Sequence, residues 1–75
     1  MHNGDVLIHI DETLDDAALN SLLRETGENP GVIGACINER ARHLMVVDFD
    51  AQVTKPSAIL HSLRQRGIDA ELIGL

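Results

Sequence analysis

The sequence predicts an α+β domain in which two helices cover one face of a four-stranded antiparallel sheet. The chain has 75 residues, which is room for a single domain spanning residues 1–75. Short β-branched apolar runs alternate with two segments in which Leu and Ile recur at helical spacing. Clusters of glycine, proline and polar residues separate these segments. Together the pattern gives the element order β-α-β-β-α-β.

The first half of the chain predicts a strand, a helix and a second strand. Residues 6–10 read Val-Leu-Ile-His-Ile, a short apolar run typical of a central strand. Thr13 followed by Asp16 is a capping-box pattern, so a helix should begin near Leu14. A second strand is expected at residues 32–38, after a turn that contains Pro and Gly.

The second half repeats this order after a polar hairpin connection. A third strand is expected at residues 43–49, and Thr54 should cap a second helix with Pro56 in its first turn. Residues 68–75 complete the sheet as a fourth strand. Right-handed crossovers join these elements into a ferredoxin-like βαββαβ sandwich with the strand order 4-1-3-2.

Composition and charge narrow the functional classes. The net charge of −6 argues against nucleic acid and an anionic membrane surface, and it suits a basic partner. No apolar run approaches the roughly 20 residues of a membrane span, and no secretory signal pattern begins the chain, so a cytoplasmic location is expected. No Gly-rich phosphate loop or activated nucleophile is present in the sequence, so we expect no enzymatic activity.

The second half also carries a family resemblance. A strand that ends in an aromatic residue and Asp is followed by a Val-Thr cap, a helix, Gly and an Ala-x-Leu-Ile strand. The matching residues are Phe49, Asp50, Val53, Thr54, Ile59, Leu63, Gly67, Ala70, Leu72 and Ile73. In these features the chain resembles the heavy-metal-associated, copper-chaperone-like domain family, which implies the same ferredoxin-like fold.

The metal motif of that family is missing. Family members carry Gly-Met-x-Cys-x-x-Cys after the first strand, where two soft thiolates bind copper(I) or zinc. Counting back from Pro30 in the Pro-Gly-Val turn places Asp15 and Ala18 at the two cysteine positions, and Cys36 is the only cysteine of the chain. The resemblance therefore implies a degenerate member, with no metal held by the family motif and no resident cofactor.

The two-residue strand period predicts which sheet face is uncovered. Val6, Ile8 and Ile10 should face the helices, whereas the opposite face, called the open face below, is substantially apolar. The residues expected on the open face are Leu7, His9, Gly34, Cys36, Asn38, Leu44, Val46, Asp48, Glu71 and Ile73. Since large exposed apolar patches mark interaction sites, we expect a second copy of the chain or a partner domain to cover it. The predicted interaction residues are Leu7, His9, Cys36, Leu44, Val46 and Ile73.

Two sets of side chains could bind metal by other means. His9 and Cys36 are weak candidate ligands for copper or zinc, but the expected strand order separates them by about 10 Å within one chain. Only a two-fold dimer could join them, and otherwise both are ordinary interface residues. The second set consists of Asp11, Glu12, Asp15 and Asp16. Helix capping and solvation explain these carboxylates, although they could also hold a hard cation or dock a basic partner.

Three functions remain open from the sequence. The first is a protein-interaction module in a metal-related or transport-related pathway that keeps the family fold without its metal site. The second is a true metal-binding or metal-trafficking protein that uses His, Cys or carboxylate ligands. The third is a regulatory domain that senses a small ligand at a dimer interface, which rests on fold analogy alone.

Overall fold

A computed structural model describes residues 3–74, and Leu75 of the predicted fourth strand lies outside the described residues. The elements are β1 (Asn3–Ile10), α1 (Asp16–Gly27), β2 (Val32–Ile37), β3 (Leu44–Asp50), α2 (Pro56–Gln65) and β4 (Ala70–Gly74). The antiparallel sheet has the order β2-β3-β1-β4, which is the predicted 4-1-3-2 order read from the other edge. The predicted ferredoxin-like class is confirmed.

The core lies between the helices and one face of the two central strands. Val6, Ile8 and Ile10 of β1 are at most 1% exposed, as their alternation predicts. Directly opposite, β3 buries Met45, Val47 and Phe49, and the helices add the leucines and isoleucines of their predicted apolar faces. The buried helical residues are Leu19, Leu22, Ile59, Leu60 and Leu63. One apolar layer therefore holds both helices on the same side of the sheet.

Both edge strands deviate from regular pairing. The pairing of β2 with β3 shifts between Val32 and Gly34, and the pairing of β1 with β4 shifts between Leu7 and Ile8. The residues left out of register are Ile33, which is 59% exposed, and Ile73, which is 49% exposed. Such irregularities twist an edge strand and hinder pairing with another sheet, so an edge-to-edge association of this sheet is disfavoured.

The first helix starts later than the capping-box pattern predicts. The N-cap is Asp15, whose side-chain oxygen accepts a hydrogen bond from the Ala18 backbone N–H at 2.8 Å. Thr13 does not fill that role because the preceding loop is held elsewhere: the Glu12 carboxylate accepts the Asp69 backbone N–H at 2.8 Å. Asp15 itself has extended backbone angles, and the helix begins at Asp16.

The second helix also starts one residue later than predicted. Lys55, and not Thr54, is the N-cap, and it makes no side-chain capping bond. Pro56 stands at the start of the helix, where its fixed φ suits helical geometry and its missing N–H leaves no donor unpaired. Within residues 3–74, neither helix is long and apolar enough to cross a membrane.

A glycine fixes the turn between α1 and β2. Gly31 has φ of 86°, in the left-handed region, and its carbonyl oxygen accepts the Asp50 backbone N–H at 2.8 Å. A Cβ atom at this position would lie 2.8 Å from Thr54 Cγ2 and 2.9 Å from Val53 Cγ1. Both the backbone conformation and the close approach of the α2 entry loop therefore require glycine.

Two glycines with the same backbone conformation allow these effects to be separated. Gly67 has φ of 83°, but a Cβ atom there would meet nothing within 4 Å. Gly67→Ala should therefore cost only the left-handed penalty of about 1–2 kcal/mol. Gly31→Ala should cost about 1–3 kcal/mol more because of the contacts with Thr54 and Val53. Urea unfolding of each variant measures the difference.

The matched control is Gly27→Ala, in the last turn of α1. Gly27 has no positive φ and open space around its Cα, so this variant should be neutral or slightly stabilising. Equal destabilisation by Gly31→Ala and Gly67→Ala would show that the turn tolerates a methyl group and that its packing is looser than described.

Candidate functional site: the open face of the sheet

An apolar row crosses the middle of the open face. Leu7 of β1 pairs with Val46 of β3, and Val46 pairs with Cys36 of β2. Leu7 and Val46 are partly exposed and the Cys36 thiol is free and exposed. Ile73 of β4 lies beside the end of this row. Since both helices pack on the other face, no element among residues 3–74 shields these side chains.

A polar row follows at the end of the open face where β1 leaves the sheet. His9 pairs with Leu44 of β3 on one side and with Glu71 of β4 on the other. Asn38 lies beyond Leu44, and its backbone N–H donates to the Leu44 carbonyl at 2.9 Å. The His9 ring stacks on His43, with 5.9 Å between ring centroids. This row places an imidazole among carboxylates at the rim of the apolar patch.

The opposite end of the open face is acidic. Asp5 of β1 pairs directly with Asp48 of β3, and like charges in such a cross-strand position repel each other. A hydrogen bond to the Asp5 carboxylate, followed by the negative charge of Asp5, raises the pKa of Asp48 above its usual value. Gly34 completes this row on β2, so the two carboxylates have open space on that side.

The two candidate sulfur and nitrogen ligands lie apart. Cys36 is in the middle row and on an edge strand, whereas His9 is in the polar row on β1, with β3 between them. Two strand spacings amount to about 10 Å, which is too far for one ion. One chain alone therefore cannot join His9 and Cys36 at a metal.

The four loop carboxylates have separate partners and do not converge on one point. The Asp11 carboxylate contacts the His9 ring, Glu12 accepts the Asp69 backbone N–H, and Asp16 pairs with Arg42. Asp15 caps α1. The capping interpretation fits Asp15, whereas Glu12 has a different role because it binds the backbone of Asp69. The docking of a basic partner at these residues stays a prediction.

The aligned cysteine positions are occupied by a helix cap. Asp15 and Ala18 are joined by the capping hydrogen bond, so the Ala18 backbone N–H already has an acceptor. Beside this loop lies a shallow cavity of about 200 Å³. Its lining residues are Ile10, Glu12, Thr13, Leu14, Leu19, Arg42 and His43. None of these lining residues carries a sulfur atom, so within residues 3–74 the cavity presents no soft ligand to a metal.

Sequence reasoning missed two groupings on this face. It placed Asp48 and Glu71 on the open face but did not pair them with Asp5 and His9. The spacing His9-x-Asp11 was the one available signal, because residues two apart on a strand lie on the same side. The pairing of His9 with Glu71 depends on the irregular register between β1 and β4, which no local pattern reveals.

Comparison with solved structures places this geometry among known folds. Oxidised MerP from Ralstonia metallidurans CH34 superimposes with a TM-score of 0.82 at 15% identity, covering 95% of this chain and 97% of that one. A copper-binding domain from HMA7, a P-type ATPase, gives 0.82 at 20% identity with 93% coverage of both chains. The apo copper chaperone of Enterococcus hirae gives 0.79 at 18% identity, covering 91% and 98%.

This chain has the fold of heavy-metal-associated domains. The resemblance seen in the sequence is thereby confirmed at the level of the fold. No family model matches the sequence, and no curated protein is significantly similar to it. The heavy-metal-associated fold is thus present with one cysteine in the whole sequence, which agrees with the loss of the paired-cysteine motif.

The acidic pair predicts a pH-dependent stability. At neutral pH the two ionised carboxylates repel, so Asp48→Asn should raise the midpoint of thermal unfolding. Because the folded-state pKa of Asp48 is raised, protonation stabilises the fold fully below the ordinary value of 3.8, and this contribution is lost as the pH rises through the raised value. The advantage of the variant should therefore disappear in acid.

Glu39→Gln is the control for this measurement, since it removes the same charge from the exposed hairpin between β2 and β3. Thermal unfolding followed by circular dichroism across the acid range compares the two variants. An equal gain in both would assign the effect to net charge and not to the pairing of Asp5 with Asp48.

Proposed function

We propose that this chain is an interaction module with the heavy-metal-associated fold, which binds a partner protein through its open face and does not exchange metal between paired cysteines. The observation that carries the proposal is the apolar row Leu7, Val46 and Cys36, which crosses the face that no helix covers. A row of this kind in contact with water is costly, and burying it in an interface removes that cost.

The charge at the rim supports a partner of opposite sign. Asp5 and Asp48 lie on one side of the apolar row, and Asp11 and Glu71 lie on the other. A second copy would bring two chains of net charge −6 together, with acidic ends meeting at the rim. A partner with an apolar centre and Lys or Arg at its margin would instead relieve the repulsion between Asp5 and Asp48.

The loss of sulfur supports the second half of the proposal. Transfer of a soft metal through paired thiolates needs two sulfur ligands at one loop, and here Asp15 and Ala18 occupy the aligned positions. Absence of enzymatic activity and a cytoplasmic location are expected from the sequence and remain predictions. A metal-related or transport-related pathway is likewise part of the proposal, supported by structural neighbours that include a copper-binding domain of a P-type ATPase and a copper chaperone.

Restoring the sulfur tests whether the loop still has the geometry of a metal loop. The double variant Asp15→Cys with Ala18→Cys creates a Cys-x-x-Cys motif at the start of α1. It should bind one equivalent of copper(I), whereas the wild type should bind copper(I) much more weakly, since its one thiol lies on β2. Competition with a copper(I) chelator measures both affinities.

The single variant Asp15→Cys is the matched control, because it carries the same loss of the helix cap, worth about 1 kcal/mol. Tight copper(I) binding by the wild-type chain would contradict the proposal. Equal binding by the single and the double variant would mean that Ala18 is not at the second ligand position.

Disruption of the apolar row tests the docking surface. Val46→Asp places a charge at its centre, and the affinity for the cognate partner should fall at least about tenfold, since central interface residues carry most of the binding energy. The partner is first isolated with the wild-type chain, then purified, and its affinity is measured by isothermal titration calorimetry. High salt should weaken this complex because the rim charges are screened.

Ser57→Asp adds the same charge to α2, on the helical side of the molecule, and should leave the affinity unchanged. Sedimentation equilibrium of the chain alone completes the test. A stable homodimer that Val46→Asp dissociates would replace the basic partner with a second copy as the occupant. Partner binding that survives Val46→Asp but fails in Ser57→Asp would move the docking site to the helices.

A further inference from the structure

We propose that His9, Asp11 and Glu71 form a binding site for a divalent cation of the zinc class, at the rim of the open face. Each of the three side chains offers one ligand atom, and these atoms all lie within 4.8 Å of one another. This site goes beyond the proposed docking function and uses different atoms from the paired-cysteine motif.

Sheet geometry brings the three groups together. His9 and Glu71 are direct partners in the β1–β4 register, so their side chains lie on the same face. Asp11 follows β1 two residues after His9, and its Oδ1 atom is 2.6 Å from His9 Nδ1. Two of the three groups therefore already touch, and the third stands opposite.

Backbone hydrogen bonds hold the site in place. The Asp11 backbone N–H donates to the Asp69 carbonyl at 2.8 Å, and the Ile10 backbone N–H donates to the His43 carbonyl at 2.7 Å. The Glu12 carboxylate accepts a hydrogen bond from the Asp69 backbone N–H, so Asp69 is bound to both Asp11 and Glu12. Ligands that stand on paired strands are positioned more accurately than ligands on a free loop, so only side-chain rotations are needed to receive an ion.

The required rotations are small. An ion with tetrahedral ligand bonds of about 2.1 Å separates its ligand atoms by about 3.4 Å. The contact between His9 and Asp11, at 2.6 Å, must therefore open by less than about 1 Å, and the Glu71 ligand atom, which lies within 4.8 Å of the other two, must approach by at most about 1.4 Å. The His9 and Asp11 side chains are 37% and 39% exposed, which leaves them room to move.

The donor set selects the class of cation. One imidazole nitrogen with two carboxylate oxygens suits zinc and similar first-row divalent ions, whereas copper(I) prefers the sulfur that is absent here. Three protein ligands leave a fourth position to water or to a group from a partner. The free thiol Cys36 is two strands away and does not belong to the site.

Titration of the intact, metal-free chain with zinc chloride tests the proposal by calorimetry. One equivalent of zinc should bind. Loss of a partner that merely supports a ligand costs about 10–100-fold in affinity, so His9→Gln and Glu71→Gln should each weaken binding by at least about tenfold. Circular dichroism establishes that the variants remain folded, and the partial exposure of both positions favours this.

Three control variants change residues outside the proposed zinc site. Cys36→Ser removes the thiol, Glu39→Gln removes a distant carboxylate, and Val46→Asp breaks the proposed docking row, and all three should keep the wild-type zinc affinity. The zinc site and the docking surface can therefore fail separately. Absence of zinc binding to the wild type would overturn the proposal. Binding that persists in His9→Gln and Glu71→Gln, or that is lost in Cys36→Ser, would overturn it as well.

Discussion

The pairing of β1 with β3 is the constraint on which the rest of the structure depends. In this register Val6, Ile8, Met45 and Val47 enter the core, and Leu7 and Val46 meet on the other face. A slip of one strand by one residue would turn its buried side chains to the open face. The same contact therefore decides what the helices cover and what remains available for binding.

A chain of this size has few alternatives to that arrangement. Folding buries only about 60% of the unfolded surface in such short domains, and Phe49 is the single aromatic residue. The core consequently relies on fully buried aliphatic side chains of the two central strands and on both helices. The sheet also carries aliphatic side chains on its open face. No further helix among residues 3–74 is present to cover that face.

Local patterns were sufficient for the fold but not for the site. Alternation in β1 and helical spacing in α2 depend on neighbours in sequence, so the core residues Ile8 and Ile59 were predictable. The cap of α1 was wrongly assigned to Thr13 because the competing bond from Asp69 to Glu12 joins residues far apart in the chain. For the same reason the contact between His9 and Glu71 was missed, as it needs the shifted β1–β4 register.

The loop between β1 and α1 differs from the family motif in the metal-ligand atoms that its side chains offer. In the family motif, two thiolates stand after β1 and select soft ions. Here the Asp15 carboxylate caps α1. The carboxylate of Asp11, the first residue after β1, contacts the His9 ring. The His9 nitrogen and the carboxylate oxygens of Asp11 and Glu71 lie close together at this end of β1, on the open face of the sheet. This position joins any bound cation to the rim of the apolar row, where its charge would act on the same surface that a partner must approach.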